Sequence, residues 1–106
     1  KMLKKMKDIK LPIGKIVASN SVFSLMESNT AFKKFTEWCL NRYVLCDWGN
    51  TPSVDWKKND NAVINGERVV AVYFIPDSIE NTFENELWFI TKADRSETKM
   101  IFQSDY

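Results

Sequence analysis

Histidine is absent from this chain of 106 residues, and glycine occurs only three times. Without histidine, the chain has no Ser–His or Cys–His nucleophile pair and no metal site with an imidazole ligand. The phosphate-binding motifs G-x-x-x-x-G-K-[ST] and G-x-G-x-x-G do not occur, and the acidic residues are scattered along the chain. We therefore expect no metal, no cofactor and no catalytic constellation of these kinds.

Long apolar runs are also lacking. No stretch of about 18 apolar residues is available to cross a membrane. The basic segment KMLKKMKDIKLPIGK lacks the apolar region of a signal peptide. We predict that residues 1–12 form a basic, solvated and partly flexible arm, with contact to a nucleic acid or an acidic partner as the alternative. Residues 13–106 are predicted to form a single domain.

The two cysteines, Cys39 and Cys46, are too far apart for a disulfide bond if they share a helix. That spacing corresponds to about two helical turns. Two free thiols and no secretion signal indicate a reducing compartment, so we expect a cytoplasmic protein.

The net charge of +1 lacks the basic excess of a nucleic-acid binder and the acidic excess of a DNA mimic. Direct nucleic-acid binding is therefore not expected. The aromatic content of 13% is high, with four tryptophans and seven phenylalanines. Such a composition indicates a core built on rings, an adhesive surface, or both.

Apolar periodicity predicts an α+β domain with the element order β-α-α-α-β-β-β. The clearest helix runs from Ala31 to about Leu45, where Phe32, Phe35 and Cys39 recur at helical spacing. The segments GKIVAS, ERVVAVYFI, LWFITK and TKMIFQ are typical of strands. Because short polar loops favour hairpins, we expect a small antiparallel sheet packed against the helices.

Two short segments are candidate binding sites. Asp47-Trp48-Gly49 is interpreted as the end of a helix, with the Trp48 ring in the core and Asp47 accepting from a backbone N–H; the alternative is an exposed aromatic anchor. Asp94-Arg95-Ser96 is interpreted as a hairpin turn with an Asx-turn at Asp94. Its alternative is a presented Arg95 that binds a carboxylate or a phosphate.

These segments and others resemble those of a family of small bacterial proteins carried on plasmids and other mobile elements. Its members are often labelled plasmid-related proteins or type I restriction system subunit M. The resemblance covers nearly everything after Leu11. The matching segments include GKIVA at 14–18, Asp47-Trp48-Gly49, Gly66, Arg68, Tyr73, Trp88, Ala93-Asp94-Arg95-Ser96, Thr98 and Tyr106. Lys92 replaces the usual Glu and Asn50 the usual Asp, so the resemblance implies no acid–base or metal role at these positions.

The mobile-element setting of that family implies a counter-defence role. Our leading hypothesis is a non-enzymatic protein that binds and inhibits a host defence effector such as a Cas nuclease, as an anti-CRISPR or anti-restriction protein. The predicted binding residues are Asp47, Trp48, Trp56, Asp94, Arg95 and Ser96.

Three alternatives remain open. The element order is similar to that of ribosome-dependent ribonuclease toxins that cut without histidine. In that case the catalytic residues are drawn from Arg68, Tyr73, Lys92, Arg95 and Tyr106. A nucleic-acid-binding plasmid accessory protein is the second alternative, and a structural subunit of a plasmid-encoded complex is the third.

Overall fold

The computed structural model describes residues 9–80 and 83–106. Its element order confirms the predicted α+β class and the order β-α-α-α-β-β-β. The elements are β1 (Lys15–Ala18), α1 (Asn20–Ser28), α2 (Thr30–Val44), α3 (Ser53–Asn65), β2 (Val69–Phe74), β3 (Glu86–Thr91), β4 (Glu97–Phe102) and a C-terminal 3-10 turn (Gln103–Asp105). Among the described residues, no helix is long and apolar enough to cross a membrane.

The strands form one four-stranded sheet in the order β1-β4-β3-β2. β2 pairs with β3 and β3 pairs with β4 in the antiparallel direction, as predicted. β1, however, runs parallel to β4, with Ile16 opposite Thr98. The expectation of an antiparallel sheet is therefore wrong for this strand. A parallel neighbour needs a long crossover, and here β1 and β4 are separated by the helices and the other two strands.

The core lies between α2 and one face of the sheet. On this face, alternate strand residues are buried: Val69, Ala71, Tyr73, Leu87, Phe89, Thr91, Thr98, Met100 and Phe102. The predicted helical face of α2 packs on them, since the Phe32 ring lies 5.7 Å from Phe102 and the Tyr43 ring lies 5.1 Å from Phe89. The Tyr43 hydroxyl also lies 2.6 Å from Thr91 Oγ1, so the buried polar group has a partner.

The outer edge of β2 is closed by polar side chains rather than by another strand. The buried Asn59 amide of α3 pairs with both backbone groups of Val70: Nδ2 donates to the carbonyl at 2.7 Å and Oδ1 accepts from the N–H at 3.3 Å. Thr51 Oγ1 and Asn50 Oδ1 accept from the N–H groups of Val72 and Phe74. α3 is thereby attached beside the sheet, not across its face.

One residue of the predicted arm belongs to the core. Leu11 is 2% exposed, and its N–H donates to the Val44 carbonyl at 2.9 Å. Folded contacts therefore extend into the segment predicted as an arm. The rest of that prediction falls mainly on residues 1–8, which lie outside the described residues.

The second face of the sheet, called the open face below, also carries apolar side chains. On β2, β3 and β4 it consists of the apolar residues Val70, Val72, Phe74, Trp88, Ile90 and Ile101 and the charged residues Glu86, Glu97 and Lys99. α3 borders it beside β2, and Tyr106 borders it beside β4. Both faces of the central strands are thus largely apolar, but only one face has a helix packed on it among the described elements.

Candidate functional site

The Asp47-Trp48-Gly49 segment is a turn that locks the end of α2. Asp47 accepts two hydrogen bonds from Arg42, at 2.9 and 3.1 Å, and one from the Gly49 N–H at 3.1 Å. The hydrogen bond from Arg42 is the main cause that holds the pKa of Asp47 below its usual value. Gly49 has a φ of 63°, and a Cβ there would collide with the Tyr73 ring. Glycine is therefore required at this position.

Trp48 is completely buried, and its Nε1 donates to Asp60 Oδ1 at 2.9 Å. Its ring meets Tyr43 edge-on, with centroids 5.4 Å apart. The interpretation as a turn with the ring in the core is confirmed. The alternative of an exposed anchor is wrong for Trp48, because no part of the ring is left for a partner.

The Asp94-Arg95-Ser96 segment is an Asx-turn, as predicted. Asp94 Oδ1 accepts from the Ser96 N–H at 2.9 Å and from its hydroxyl at 2.6 Å. The Arg95 side chain is used within the fold and is not presented to another molecule. Its guanidinium donates to the carbonyls of Ala62 at 2.9 Å, Glu67 at 2.6 Å and Lys92 at 3.2 Å. The alternative of a presented Arg95 is therefore wrong, since this side chain caps the carboxyl end of α3.

The predicted binding residues do not form one surface. Trp48 donates to Asp60 of α3, and the half-buried Trp56, near the amino end of that helix, lines with Asp60 a shallow cavity of about 360 Å³. Asp47 precedes Trp48 in the turn after α2. Asp94, Arg95 and Ser96 lie at the other end of the same helix. Only Trp56 among the aromatic candidates retains some exposure, so the two segments mainly stabilise the fold.

Burial raises the pKa values of two side chains, Cys39 and Tyr73. Burial raises the pKa of the Cys39 thiol to about 12, so the thiol carries no thiolate near neutral pH. Burial likewise raises the pKa of Tyr73, whose hydroxyl donates to the Asp47 carbonyl at 2.7 Å. The thiols of Cys39 and Cys46 form no disulfide bond, as expected.

A cavity of about 540 Å³ lies on the open face between α3 and the central strands. Its apolar floor is formed by Val70, Val72 and Trp88, and Phe74 stands at its end with 55% of its surface exposed. Glu86 accepts from the indole N–H of Trp88 at 2.9 Å, which fixes the ring on the floor. We call this space the first cavity.

A second cavity, of about 440 Å³, lies on the same face toward β4 and the C-terminal turn. Its walls carry Ile90 and Ile101 together with several charged side chains. Tyr106 lines the second cavity and packs against Trp88 of the first: its ring lies 5.1 Å from the Trp88 ring, and it is 70% exposed. Arg68, which lines both cavities, donates to the Tyr106 hydroxyl at 3.1 Å.

Asp105 holds the C-terminal turn in place. Its carboxylate accepts from the hydroxyls of Ser19, at 2.7 Å, and Ser21, at 2.9 Å, and from the Phe102 N–H at 3.0 Å. Burial acts to raise the pKa of Asp105, but these hydrogen bonds outweigh it and lower the pKa. The position of Tyr106 over the open face is therefore fixed by contacts with the amino end of α1.

The second cavity brings together part of the residue set predicted for the alternative ribonuclease function. Arg68, Lys92 and Tyr106 line the second cavity. Tyr73 is in the core and Arg95 caps α3, so neither reaches this space. Among residues 9–80 and 83–106, no group of three or more Cys, Asp or Glu side chains is arranged to hold a metal ion.

None of the predicted binding residues lies on the strands of the open face. Its signal was present, because the segments ERVVAVYFI and LWFITK are apolar at consecutive positions rather than alternate ones. A strand with two apolar faces is typical of a sheet covered on both sides. Among the described elements, helices cover one side of this sheet, and the other side keeps its apolar side chains without a helical cover.

No protein-family model, curated protein or solved structure matches this chain.

Proposed function

We propose that this chain is a non-enzymatic protein-binding protein and that the open face is its binding surface. One observation carries the proposal: Phe74 and Tyr106 are 55% and 70% exposed around an apolar floor that contains Trp88. Exposed aromatic side chains grouped on one apolar face are typical of the centre of a protein interface. Arg68, between the two cavities, adds the charged residue type most often enriched there.

The charges around the open face favour a protein over a nucleic acid. Cationic and anionic side chains are mixed along the two cavities. The cations are Lys58, Arg68, Lys92 and Lys99, and the anions are Asp55, Glu86, Glu97 and Asp105. A nucleic-acid surface needs an excess of positive charge to neutralise phosphates. A mixed polar rim around an apolar centre matches a protein partner.

The identity of the partner rests on the sequence resemblance alone. Relatives carried on mobile elements would meet the defence systems of their hosts, so we propose that the partner is a defence effector such as a Cas nuclease or a restriction enzyme. In this proposal the chain inhibits by occupying a functional surface of the effector. The chain itself performs no chemistry.

A cleavage assay tests the proposal. The purified protein is added in molar excess to a Cas nuclease and, separately, to a type I restriction enzyme, and DNA cleavage is measured. We expect inhibition of one effector, and we expect Phe74→Ala to weaken that inhibition by about tenfold or more, as for an interface hot spot. Phe23→Ala is the matched control, because Phe23 of α1 is also 55% exposed and lines neither cavity.

Cleavage that stays at the uninhibited rate at large excess would remove these effectors as partners. Equal inhibition by wild type and Phe74→Ala would place the binding surface elsewhere.

A second candidate function is a histidine-free ribonuclease, and the observation in its favour is the pairing of Arg68 with Tyr106 beside Lys92. In such a cleavage the ribose 2′ oxygen bonds to phosphorus, its proton passes to water, and the bond from phosphorus to the 5′ oxygen breaks. Cations are able to stabilise the charge on the phosphate, and a tyrosine hydroxyl is able to protonate the departing 5′ oxygen. Induced expression in a bacterial host tests it. A ribonuclease slows growth and leaves cleaved mRNA, and Tyr106→Phe restores growth; unchanged growth contradicts this function.

A further inference from the structure

The charges of the second cavity are not equivalent, because its anions are already engaged while two of its cations are not. Asp105 accepts from Ser19, Ser21 and a backbone N–H. Glu97 lies 3.9 Å from the ammonium group of Lys92. Among the described residues, Arg68 and Lys99 have no salt-bridge partner, and Arg68 contacts only a neutral hydroxyl.

The unpaired cations favour an anionic group in this cavity. An arginine with free N–H donors binds a carboxylate through short, charge-assisted hydrogen bonds. Lys99 and Ile90 stand opposite each other on adjacent strands, so the second cation lies beside an apolar wall. A bound anion would therefore meet positive charge on two sides.

The first cavity adds an apolar site at a defined distance from the cations of the second cavity. Trp88 and Ile90 lie on the same face of β3, two residues apart, which corresponds to about 6.6–6.8 Å along the strand. Arg68 lines both cavities, so one side chain borders the apolar floor and the anion site together. A ligand that joins an apolar side chain to a nearby carboxylate matches both.

We propose that the open face recognises an acidic peptide segment of the partner, with an apolar side chain in the first cavity and an Asp or Glu carboxylate between Arg68 and Lys99. This inference rests on the proposed function and names the chemistry of its partner. A nucleic acid fits less well, since Asp55, Glu86, Glu97 and Asp105 would repel a chain of phosphates. A single carboxylate needs only the two free cations.

A titration followed by NMR tests the proposal with two small probes, 4-phenylbutyrate and its uncharged amide. Both carry the same ring, and only the first carries a carboxylate. We expect amide-proton shifts at residues of the open face and a dissociation constant about tenfold lower for the carboxylate. The preference is expected to shrink as salt is added.

Charge variants locate the effect. Arg68→Gln and Lys99→Gln are each expected to bring the two probes close to equal affinity, with the rest of the spectrum unchanged. Lys33→Gln removes an exposed cation from α2, away from both cavities, and should keep the preference. Each spectrum also reports whether the variant is folded.

The proposal is overturned by equal affinity of the two probes for wild type, by no binding at millimolar concentration, or by a preference that survives both Gln variants. Stronger displacement of 4-phenylbutyrate by inorganic phosphate than by acetate would also overturn it, because the site would then favour phosphate. These outcomes are separate from the tests of the proposed function, which are the cleavage assay and the effect of Phe74→Ala on inhibition and partner binding.

Discussion

Arg95 connects the β3–β4 turn to the carboxyl end of α3. Its backbone adopts a φ of 62°, in the left-handed region that side chains other than glycine seldom occupy. Its guanidinium donates to the Ala62 carbonyl in the last turn of α3 and to the Glu67 carbonyl just after the helix. The favourable hydrogen bonds therefore offset a costly backbone conformation at the same residue.

These two effects predict opposite contributions from the side chain and the backbone. Arg95→Ala removes the hydrogen bonds and keeps the unfavourable φ, so we expect a loss of about 1–2 kcal/mol in the free energy of unfolding. Arg95→Gly loses the same bonds but relaxes the backbone, so it should be about 1 kcal/mol more stable than Arg95→Ala. Urea unfolding of the two variants measures both differences; an Arg95→Ala variant as stable as wild type contradicts the capping role.

Asp47 connects the turn after α2 to the cation–π contacts of Arg42. The guanidinium lies 4.5 Å from the Trp38 ring centroid and 5.6 Å from that of Tyr73. Asp47 holds it there through two hydrogen bonds. Because these hydrogen bonds stabilise the ionised carboxylate, they lower the pKa of Asp47.

A lowered pKa makes this contribution dependent on pH. A carboxylate whose pKa is lower in the folded state stabilises the fold above its usual pKa of 3.8 and loses that effect as the pH falls through the folded value. Because the pair is partly exposed, we expect Asp47→Asn to cost only about 0.5–1 kcal/mol at neutral pH. Urea unfolding across the acid range should show the two proteins converging below the usual pKa; a constant difference at every pH contradicts this account.

At the scale of elements, α3 is held beside the sheet by Asn59. This side chain is 4% exposed and takes the place of a neighbouring strand for Val70. An unpaired strand edge is a template for pairing with other chains, so the same contact also protects β2 from aggregation.

Replacing the amide by a carboxylate tests this contact. Asn59→Asp keeps the acceptor for the Val70 N–H but sets an anion against the Val70 carbonyl, so we expect a loss of about 2–3 kcal/mol or more in the free energy of unfolding. Hydrogen exchange at Val70 should accelerate more than at Thr91 of β3. Asn61→Asp, on the exposed side of α3, is the control; equal effects of the two changes contradict a specific role for Asn59.

Helices and strands could be predicted from the spacing of apolar residues that are close in sequence. Contacts between residues far apart in sequence could not. The spacing of Phe32, Phe35 and Cys39 is a property of neighbouring turns, and all three are buried on α2 as that spacing requires. The pairing of Ile16 with Thr98 joins residues from opposite ends of the chain, so no local pattern reports its direction. The capping of Ala62 by Arg95 was hidden for the same reason.

At the scale of the whole molecule, the sheet has two apolar faces and one helical cover among the described elements. A protein partner was predicted from the family resemblance, the aromatic content, the near-neutral charge and the lack of a catalytic constellation. The predicted binding residues lie in two turns and, for Trp56, on α3. Trp48 and Arg95 carry strong sequence signals because the fold needs them. The exposure of Phe74 and Tyr106 depends on which side of the sheet α2 occupies. The sequence of a single strand does not predict that side.

The most direct test of this account is a quantitative pull-down from a bacterial lysate that contains candidate defence effectors. Four tagged proteins are compared by mass spectrometry: wild type, Phe74→Ala, Tyr106→Ala and the control Phe23→Ala. We expect one stoichiometric partner with wild type and Phe23→Ala, and a strong loss of that partner with the two open-face variants. Retention by both open-face variants, or loss with Phe23→Ala alone, would contradict the assignment of the open face as the binding surface.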